Sequence, residues 1–376
     1  MDKNVINLKL LLHCFFCCVL TIYFSYSKYA SNSIFSKQQK FKVEISKLKD
    51  RPRSYSNQKK TSTEPYGKQW MNEKEKKYKK DRERIQEICK KYNITSKNKI
   101  DKGFLLVDRN HKMAFCLHPK VGSSTLKTHL KHLIPTKIQE KLIKQSGMTP
   151  YEIDQPLSKK FRNYYIISEN DVLGGSRDKI PPYLLNNFIT SNNILTASFV
   201  RHPFERLVSA YNDKFGGNHI KITWTNVYQE WFKNEKSFSR FVNRVLYEHQ
   251  RSCYPNSTQA SRNLTNWFNG PCDEHKINDH WQPYLSKCSY CDVNYDVIGR
   301  METWNDDLDY IILKRGLENV LPLQKAENSH YNPTKQNTSK MTKEYFSMLS
   351  KKQKEELYHM FRIDFELFNY DPEIYL

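Results

Sequence analysis

Apolar and polar positions follow four regimes along this chain. From Leu10 to Tyr26 (LLLHCFFCCVLTIYFSY) the residues are almost all apolar, a run roughly long enough for a tilted or short helix to cross a bilayer. No small-x-small cleavage site follows it, which favours a retained anchor over a removable signal peptide. Ser27 to about Pro65 is polar, basic and poor in apolar residues, the composition of a flexible stem. From Lys68 to Tyr92 the pattern turns helical: Met71, Tyr78, Ile85, Ile88 and Tyr92 recur at mostly helical spacings and predict one thin stripe laid against the rest. The chain thus divides into a tail (1–9), an anchor (10–27), a basic stem (28–67), a charged helix (68–100) and one folded domain (101–376).

Within that domain the pattern changes to short apolar runs alternating with amphipathic stretches. Met113 to Leu117 (MAFCL) reads as a buried strand and His118 to Thr125 (HPKVGSST) as a turn. Leu126, Leu130, Leu133 and Ile134 then fall on one helical face, which Pro135 ends. A second unit repeats the order. Ile194 to Val200 (ILTASFV) is the strand and Arg201-His202-Pro203 the turn, while Phe204, Leu207, Val208, Tyr211 and Phe215 form the helical stripe. Strand–loop–helix units in series predict an α/β fold with a central parallel sheet flanked by helices. In such sheets ligands bind at the carboxyl ends of the strands, where both loops lie.

Charge alters this picture less than its total suggests. The formal net charge is +21, but residues 28–100 hold 22 Lys or Arg against 8 Asp or Glu and so carry +14 of it. The remaining +6 beyond residue 100 suits an acidic ligand and gives no reason to expect nucleic acid. Asn93, Asn256, Asn263 and Asn337 each begin an Asn-x-Ser/Thr glycosylation acceptor, all downstream of the anchor. Six of the nine cysteines (Cys89, Cys116, Cys253, Cys272, Cys288 and Cys291) also lie beyond it, an even number suited to an oxidising lumen. A single-pass type II membrane protein accounts for both sets, with the folded domain in the lumen.

The loop Lys120 to Thr125 (KVGSST) has the ingredients of an anion site. A helix start after a strand presents unpaired N–H groups and a positive dipole end. Gly122 lets the backbone approach an anion, Ser123, Ser124 and Thr125 add hydroxyl donors, and Lys120 adds a mobile charge. The triphosphate pattern GxxxxGK[ST] is absent. Arg201 at the second strand end and Ser209 two helical turns on form a second grip, the arginine through its planar fork. Two anion grips on adjacent strand ends suit a ligand with two separated phosphate groups.

These segments closely resemble the two donor-binding motifs of the Golgi carbohydrate sulfotransferases, through PKVGSSTLK (Pro119 to Lys127) and FVRHPFERLVSAYNDKF (Phe199 to Phe215). Within that family the chain is most similar to the branch holding the chondroitin and dermatan 4-O-sulfotransferases and the HNK-1 sulfotransferase. The likeness continues through HWQP (280–283), CSYC (288–291) and YDVIGRMET (295–303), ending at FRIDFELFNY (361–370). It implies a P-loop-like sulfotransferase fold and 3′-phosphoadenosine 5′-phosphosulfate as donor, with no metal expected. Lys120, Val121, Gly122, Ser123, Ser124 and Thr125 would cradle the 5′-phosphosulfate, while Arg201 and Ser209 would hold the 3′-phosphate.

The acceptor implied is a glycan, first position 4 of N-acetylgalactosamine in chondroitin or dermatan. A terminal glucuronic acid or an N-glycan N-acetylgalactosamine is the alternative. Partners are then the glycan, the membrane through the anchor and, as one option, a second copy of the chain. Lys120 would neutralise charge on the leaving oxygen and His280 would act as general base, with His118, His202, His275 and Asp213 as open candidates. His202 departs from the family, where Asp or Glu usually stands; histidine there weakens any pairing with Arg201 or capping of the helix. Cys288 and Cys291 are expected in disulfides with Cys253 and Cys272, among 15 pairings that six cysteines allow, and Cys116 as a buried thiol. A zinc site at the CxxC with His275, His280 or Cys272 is the competing reading. Two rival functions fit less well. A glycan kinase needs a triphosphate loop and magnesium carboxylates, and a non-catalytic relative should have lost Lys120, Arg201 or Ser209.

Overall fold

The computed structural model describes residues 66–94, 100–101, 105–108, 110–133, 179–180, 182–216, 228, 231–232, 237–253, 277–324 and 338–376. The anchor and stem, and with them the expectations for residues 10–27, lie outside this set. Among the described residues no helix is long and apolar enough to cross a membrane.

Helix α1 (Lys68–Lys91) buries Tyr78, Ile85 and Ile88 as its spacing predicts, and half-buries Met71 and Tyr92. It also buries Lys74, whose Nζ lies 3.0 Å from Asp307 Oδ1, where the Tyr78 hydroxyl donates at 2.7 Å. A cation reads as solvent-facing in a sequence; here a buried carboxylate draws it in. Strands β1 (Ile100–Asp101) and β4 (Lys179–Ile180) form a short antiparallel pair.

The main sheet runs in the order β2 (Leu105–Asp108), β3 (Met113–Leu117), β5 (Leu195–Val200), β6 (Val297–Arg300). β3, β5 and β6 are parallel, in registers that pair Leu117 with Phe199 and Val200 with Arg300. Apart from Arg300 their residues are buried, as strands covered on both faces require. The sheet is not wholly parallel as expected. β2 is antiparallel to β3, because the connection through residues 109–112 is far too short for a crossover. Asp108 closes that turn by accepting the His111 N–H at 3.1 Å, and Lys112 takes a left-handed φ of 54°.

Two of the parallel strands lead through short loops into helices: β3 into α2 (Ser123–Lys131), and β5, which follows α3 (Pro182–Ser191), into α4 (Pro203–Lys214). α2 ends earlier than Pro135 suggests, its last turn closed by the amides of His132 and Leu133. Among the described residues the further α-helices are α5 (Phe238–Cys253), the single turn α6 (Leu285–Cys288), α7 (Trp304–Lys314), α8 (Thr338–Ser347) and α9 (Lys351–Phe368). Aromatic residues dominate the core against α4: Phe204, Tyr211 and Phe215 pack with Phe238, Phe241, Trp281, Phe346 and Phe365. α9 starts on a reciprocal capping box between Ser350 and Gln353.

Two disulfides overturn the expected cysteine chemistry. Cys116 pairs with Cys288, and Cys89 with Cys291. The CxxC is therefore neither linked to Cys253 or Cys272 nor available to zinc, and Cys116 is not a thiol. Spacing along the chain could not show this, since the pairs are 172 and 202 residues apart and meet only when α6 is laid over β3 and α1 beside it.

Candidate functional site

The first loop leaves β3 at Leu117 and turns on two left-handed residues, Lys120 (φ 70°) and Gly122 (φ 75°). Gly122 is required twice over. Its φ disfavours any side chain, and a Cβ would sit 2.8 Å from Met301 Sδ and from the Trp304 ring. Gly122 is the N-cap of α2 and offers no side-chain cap, and the first turn holds no acid, so its amide and dipole end suit an anion. Ser124 is exposed, and Ser123 and Thr125 are half-buried, at this helix start. Val121 is fully buried, so only its main chain can face a ligand.

The second loop lies against the first. Arg201 Nη1 donates to the Lys120 carbonyl at 3.5 Å, and Arg201 Nε pairs with Glu205 at 3.5 Å. Tyr284 clamps the strand end, accepting the Arg201 N–H at 2.9 Å and donating to its carbonyl at 3.0 Å. Ser209 is half-buried one turn beyond Glu205, and Asp213 follows one turn later on the same face. Asp213 Oδ2 lies 3.1 Å from Lys120 Nζ and 2.8 Å from Lys214 Nζ.

His202 behaves differently from its sequence expectation. It does cap α4, accepting the Phe204 N–H on Nδ1 at 3.3 Å while Nε2 donates to the Asp371 carbonyl at 3.0 Å. The acid that pairs with Arg201 is Glu205, a helical turn later. Buried among Phe365, Tyr370 and Tyr375, the His202 ring has its protonation pushed down by desolvation. His118 is also buried, between Tyr284 and Tyr290, and is held neutral by desolvation with Arg206 and Lys287 nearby. Neither ring is placed as an acid or base for a solvent-borne ligand. His275 lies outside the described residues.

His280 is half-buried beside the cations. Burial first, then Lys214, Lys120 and Arg206, push its pKa down to about 3, against the opposing pull of Asp213. Asn278 Oδ1 accepts the His280 main-chain N–H at 3.0 Å, which identifies that atom as the amide oxygen. The same oxygen lies 2.8 Å from His280 Nδ1, so Nδ1 carries the ring proton and Nε2 the lone pair. The neighbouring Trp281 fills the structural role of the segment, buried with Nε1 donating to Glu248 at 2.9 Å.

The residue missed by sequence reasoning is Arg206. It is 1% exposed and donates to the carbonyls of Pro119 (3.2 Å), Gln282 (2.6 Å) and Asp279 (3.1 Å), with its guanidinium over the Tyr284 ring. It ties the first loop to the His280 segment. Its helical position was the available signal: Arg206 shares the buried arc of α4 with Pro203 and Ala210, where a surface arginine would not fall. Among the described residues no three His, Cys, Asp or Glu side chains converge on a metal position.

An α/β domain that brings Lys120, Arg201 and an uncapped helix start to the carboxyl ends of two adjacent strands belongs to the class suited to anionic, phosphate-bearing ligands there. The family model described as "Sulfotransferase family" matches residues 104–371, and the chain belongs to that family. It is a sulfotransferase, an enzyme whose donor is 3′-phosphoadenosine 5′-phosphosulfate. It is 26% identical to carbohydrate sulfotransferase 11 of Rattus norvegicus over 78% of this chain and 76% of that protein. It is 27% identical to carbohydrate sulfotransferase 10 of Xenopus laevis over 72% and 68%, and 26% identical to human carbohydrate sulfotransferase 9 over 76% and 58%. No solved structure matches.

Proposed function

We propose that this chain transfers a sulfuryl group to a glycan hydroxyl, with position 4 of N-acetylgalactosamine in chondroitin or dermatan as the acceptor. The observation that carries the donor site is the contact of its two loops, Arg201 Nη1 reaching the carbonyl of Lys120 itself. One bisphosphorylated nucleotide can therefore engage both cations. In this reading residues 120–125 take the 5′-phosphosulfate, and Arg201 with Ser209 takes the 3′-phosphate. The carbohydrate relatives and the basic balance of the folded domain support an acidic glycan.

In the reaction the acceptor oxygen bonds to sulfur as the sulfur–oxygen bond to the 5′-phosphate breaks. Lys120 neutralises charge growing on the departing oxygen, and His280 Nε2 takes the hydroxyl proton. A ring held near 3, first by burial and then by cations, is a poor base; Lys214 and Lys120 are cations an anionic donor would neutralise, so donor binding should return part of its basicity. We place the chain in the Golgi membrane in type II orientation, with residues 10–27 as anchor. Asn93, exposed just past the end of α1, suits a luminal glycan.

The test is full-length enzyme with labelled donor and a panel of desulfated glycans. Chondroitin and dermatan should be labelled, Lys120→Ala should abolish transfer, and Arg201→Ala should raise the donor KM about tenfold or more, the loss of a charge-assisted contact. Donor binding without transfer to any glycan would defeat the acceptor assignment.

A further inference from the structure

Each donor-side cation has an acid from the same face of α4. Glu205 serves Arg201 and is itself anchored, accepting the Tyr375 hydroxyl at 2.6 Å. Asp213 serves Lys120, and here the geometry is unusual: a single oxygen, Oδ2, takes Lys120 Nζ at 3.1 Å and Lys214 Nζ at 2.8 Å. Two ammonium groups on one anionic oxygen is the arrangement a sulfonate or phosphate oxygen would receive. The three side chains keep contact with solvent, at 28% for Asp213, 19% for Lys120 and 14% for Lys214. Ion pairs of that exposure are weak, so a ligand bearing several negative charges can displace the carboxylate.

We propose that Asp213 is a built-in competitor for the donor: its carboxylate occupies, across Lys120 and Lys214, the place of an anionic oxygen of the nucleotide, and yields both cations when nucleotide binds. Lys214 thereby becomes a second donor-site cation beside Lys120. The inference rests on the donor site proposed above.

It also links binding to the base. His280 is faced by Lys120 from the first loop and by Arg206, Asp213 and Lys214 from α4, while its own segment adds Asp279, paired with Lys287 at 3.3 Å. Once nucleotide holds the two lysines, the carboxylate of Asp213 acts on His280 without their compensation. Asp213 is a positioning residue in this scheme: it sets where Lys120 rests and how basic His280 becomes, and touches no reacting atom.

A purely structural aspartate and a competitor make opposite predictions. Calorimetric titration of the full chain with the desulfonated nucleotide, adenosine 3′,5′-bisphosphate, should show Asp213→Asn binding about two- to fivefold tighter than wild type, the range of an ion pair that solvent still screens. In a Lys120→Met background the same substitution should lose most of that gain. NMR titration of the His280 ring should show nucleotide raising its midpoint, by less in D213N. Turnover in D213N should fall while the donor KM falls too. Equal or weaker nucleotide binding by folded D213N, checked by its melting curve, overturns the proposal. Should Lys120→Met and Arg201→Met both leave nucleotide affinity unchanged, the donor-site reading itself fails, and this proposal with it.

Discussion

Arg206 offers the sharpest test of how the site is held together. Replacing it with Met keeps bulk and removes the guanidinium. Three charge-assisted bonds to main-chain carbonyls are lost, each worth about 1.5–3 kcal/mol. Against that stands relief from burying a charge, several kcal/mol in the opposite sense. Because the orphaned carbonyls of Pro119, Asp279 and Gln282 stay put, the balance should fall at about 3–5 kcal/mol of destabilisation, the range for removing one member of a buried charged contact. In a domain of this size that lowers the melting temperature by roughly 6–15 °C. Nucleotide affinity should fall with it, since Arg206 joins the first loop to the His280 segment, and Arg206→Lys should recover only part of either loss. Thermal melts and nucleotide titration of the same preparations decide the matter. A folded R206M melting within about 2 °C of wild type, with unaltered nucleotide affinity, would refute the argument.

Gly122→Ala forces a side chain into a left-handed position 2.8 Å from Met301 and Trp304, so nucleotide affinity should fall and stability drop by at least about 1–2 kcal/mol; an unchanged titration would show the loop less constrained. Removing Cys89 and Cys291 as a serine pair opens a crosslink spanning 202 residues and should cost about 2–5 kcal/mol by denaturant unfolding, with donor affinity retained in the folded protein, since neither cysteine belongs to the two loops. Asp364, whose two oxygens accept the Tyr284 N–H, has its pKa raised by burial from 3.8 to about 7. The folded state therefore holds the proton more tightly than the unfolded one, and this contribution to stability is full below about pH 4 and lost as pH rises toward 7. Asp364→Asn should flatten that decline in unfolding measurements across pH 4–8, and a wild-type curve without it would contradict the burial argument.

The two strand–loop–helix units were legible because everything local agreed. MAFCL is apolar on both faces and ILTASFV nearly so, turn residues follow each, and helical stripes begin at once, so the α/β class and the places of both loops could be read before any coordinates. What stayed hidden depends on contacts distant in sequence. The antiparallel β2 is set by a turn at 110–112 that carries no Gly or Pro to announce it. Lys74 and Arg206 are buried because remote groups, Asp307 and the carbonyls of the 279–282 segment, await them. The cysteine pairing had 15 solutions, and the expected partners of Cys288 and Cys291 were near in sequence, whereas the folded chain joins them to Cys116 and Cys89. His202 keeps a cap that the change from an acid was expected to weaken: its neutral imidazole nitrogen accepts the Phe204 N–H at 3.3 Å, without a carboxylate's charge.

Helix α4 is what makes two like-charged loops compatible. Lys120 and Arg201 would repel each other across a shared contact, and strand ends that gather cations for a ligand must be stable before the ligand arrives. The helix supplies acid, hydroxyl and acid at Glu205, Ser209 and Asp213, spaced one turn apart along the face turned to both loops. Glu205, fixed by Tyr375, keeps Arg201 aimed; Asp213, unlike it, shares its charge between two lysines and so binds neither firmly. The hydroxyl between them is positioned by the same periodicity without adding charge. One amphipathic helix thus packs the aromatic core with Phe204, Leu207 and Tyr211 and grades the electrostatics of the opposite face, which ties the fold of this segment to the site it builds.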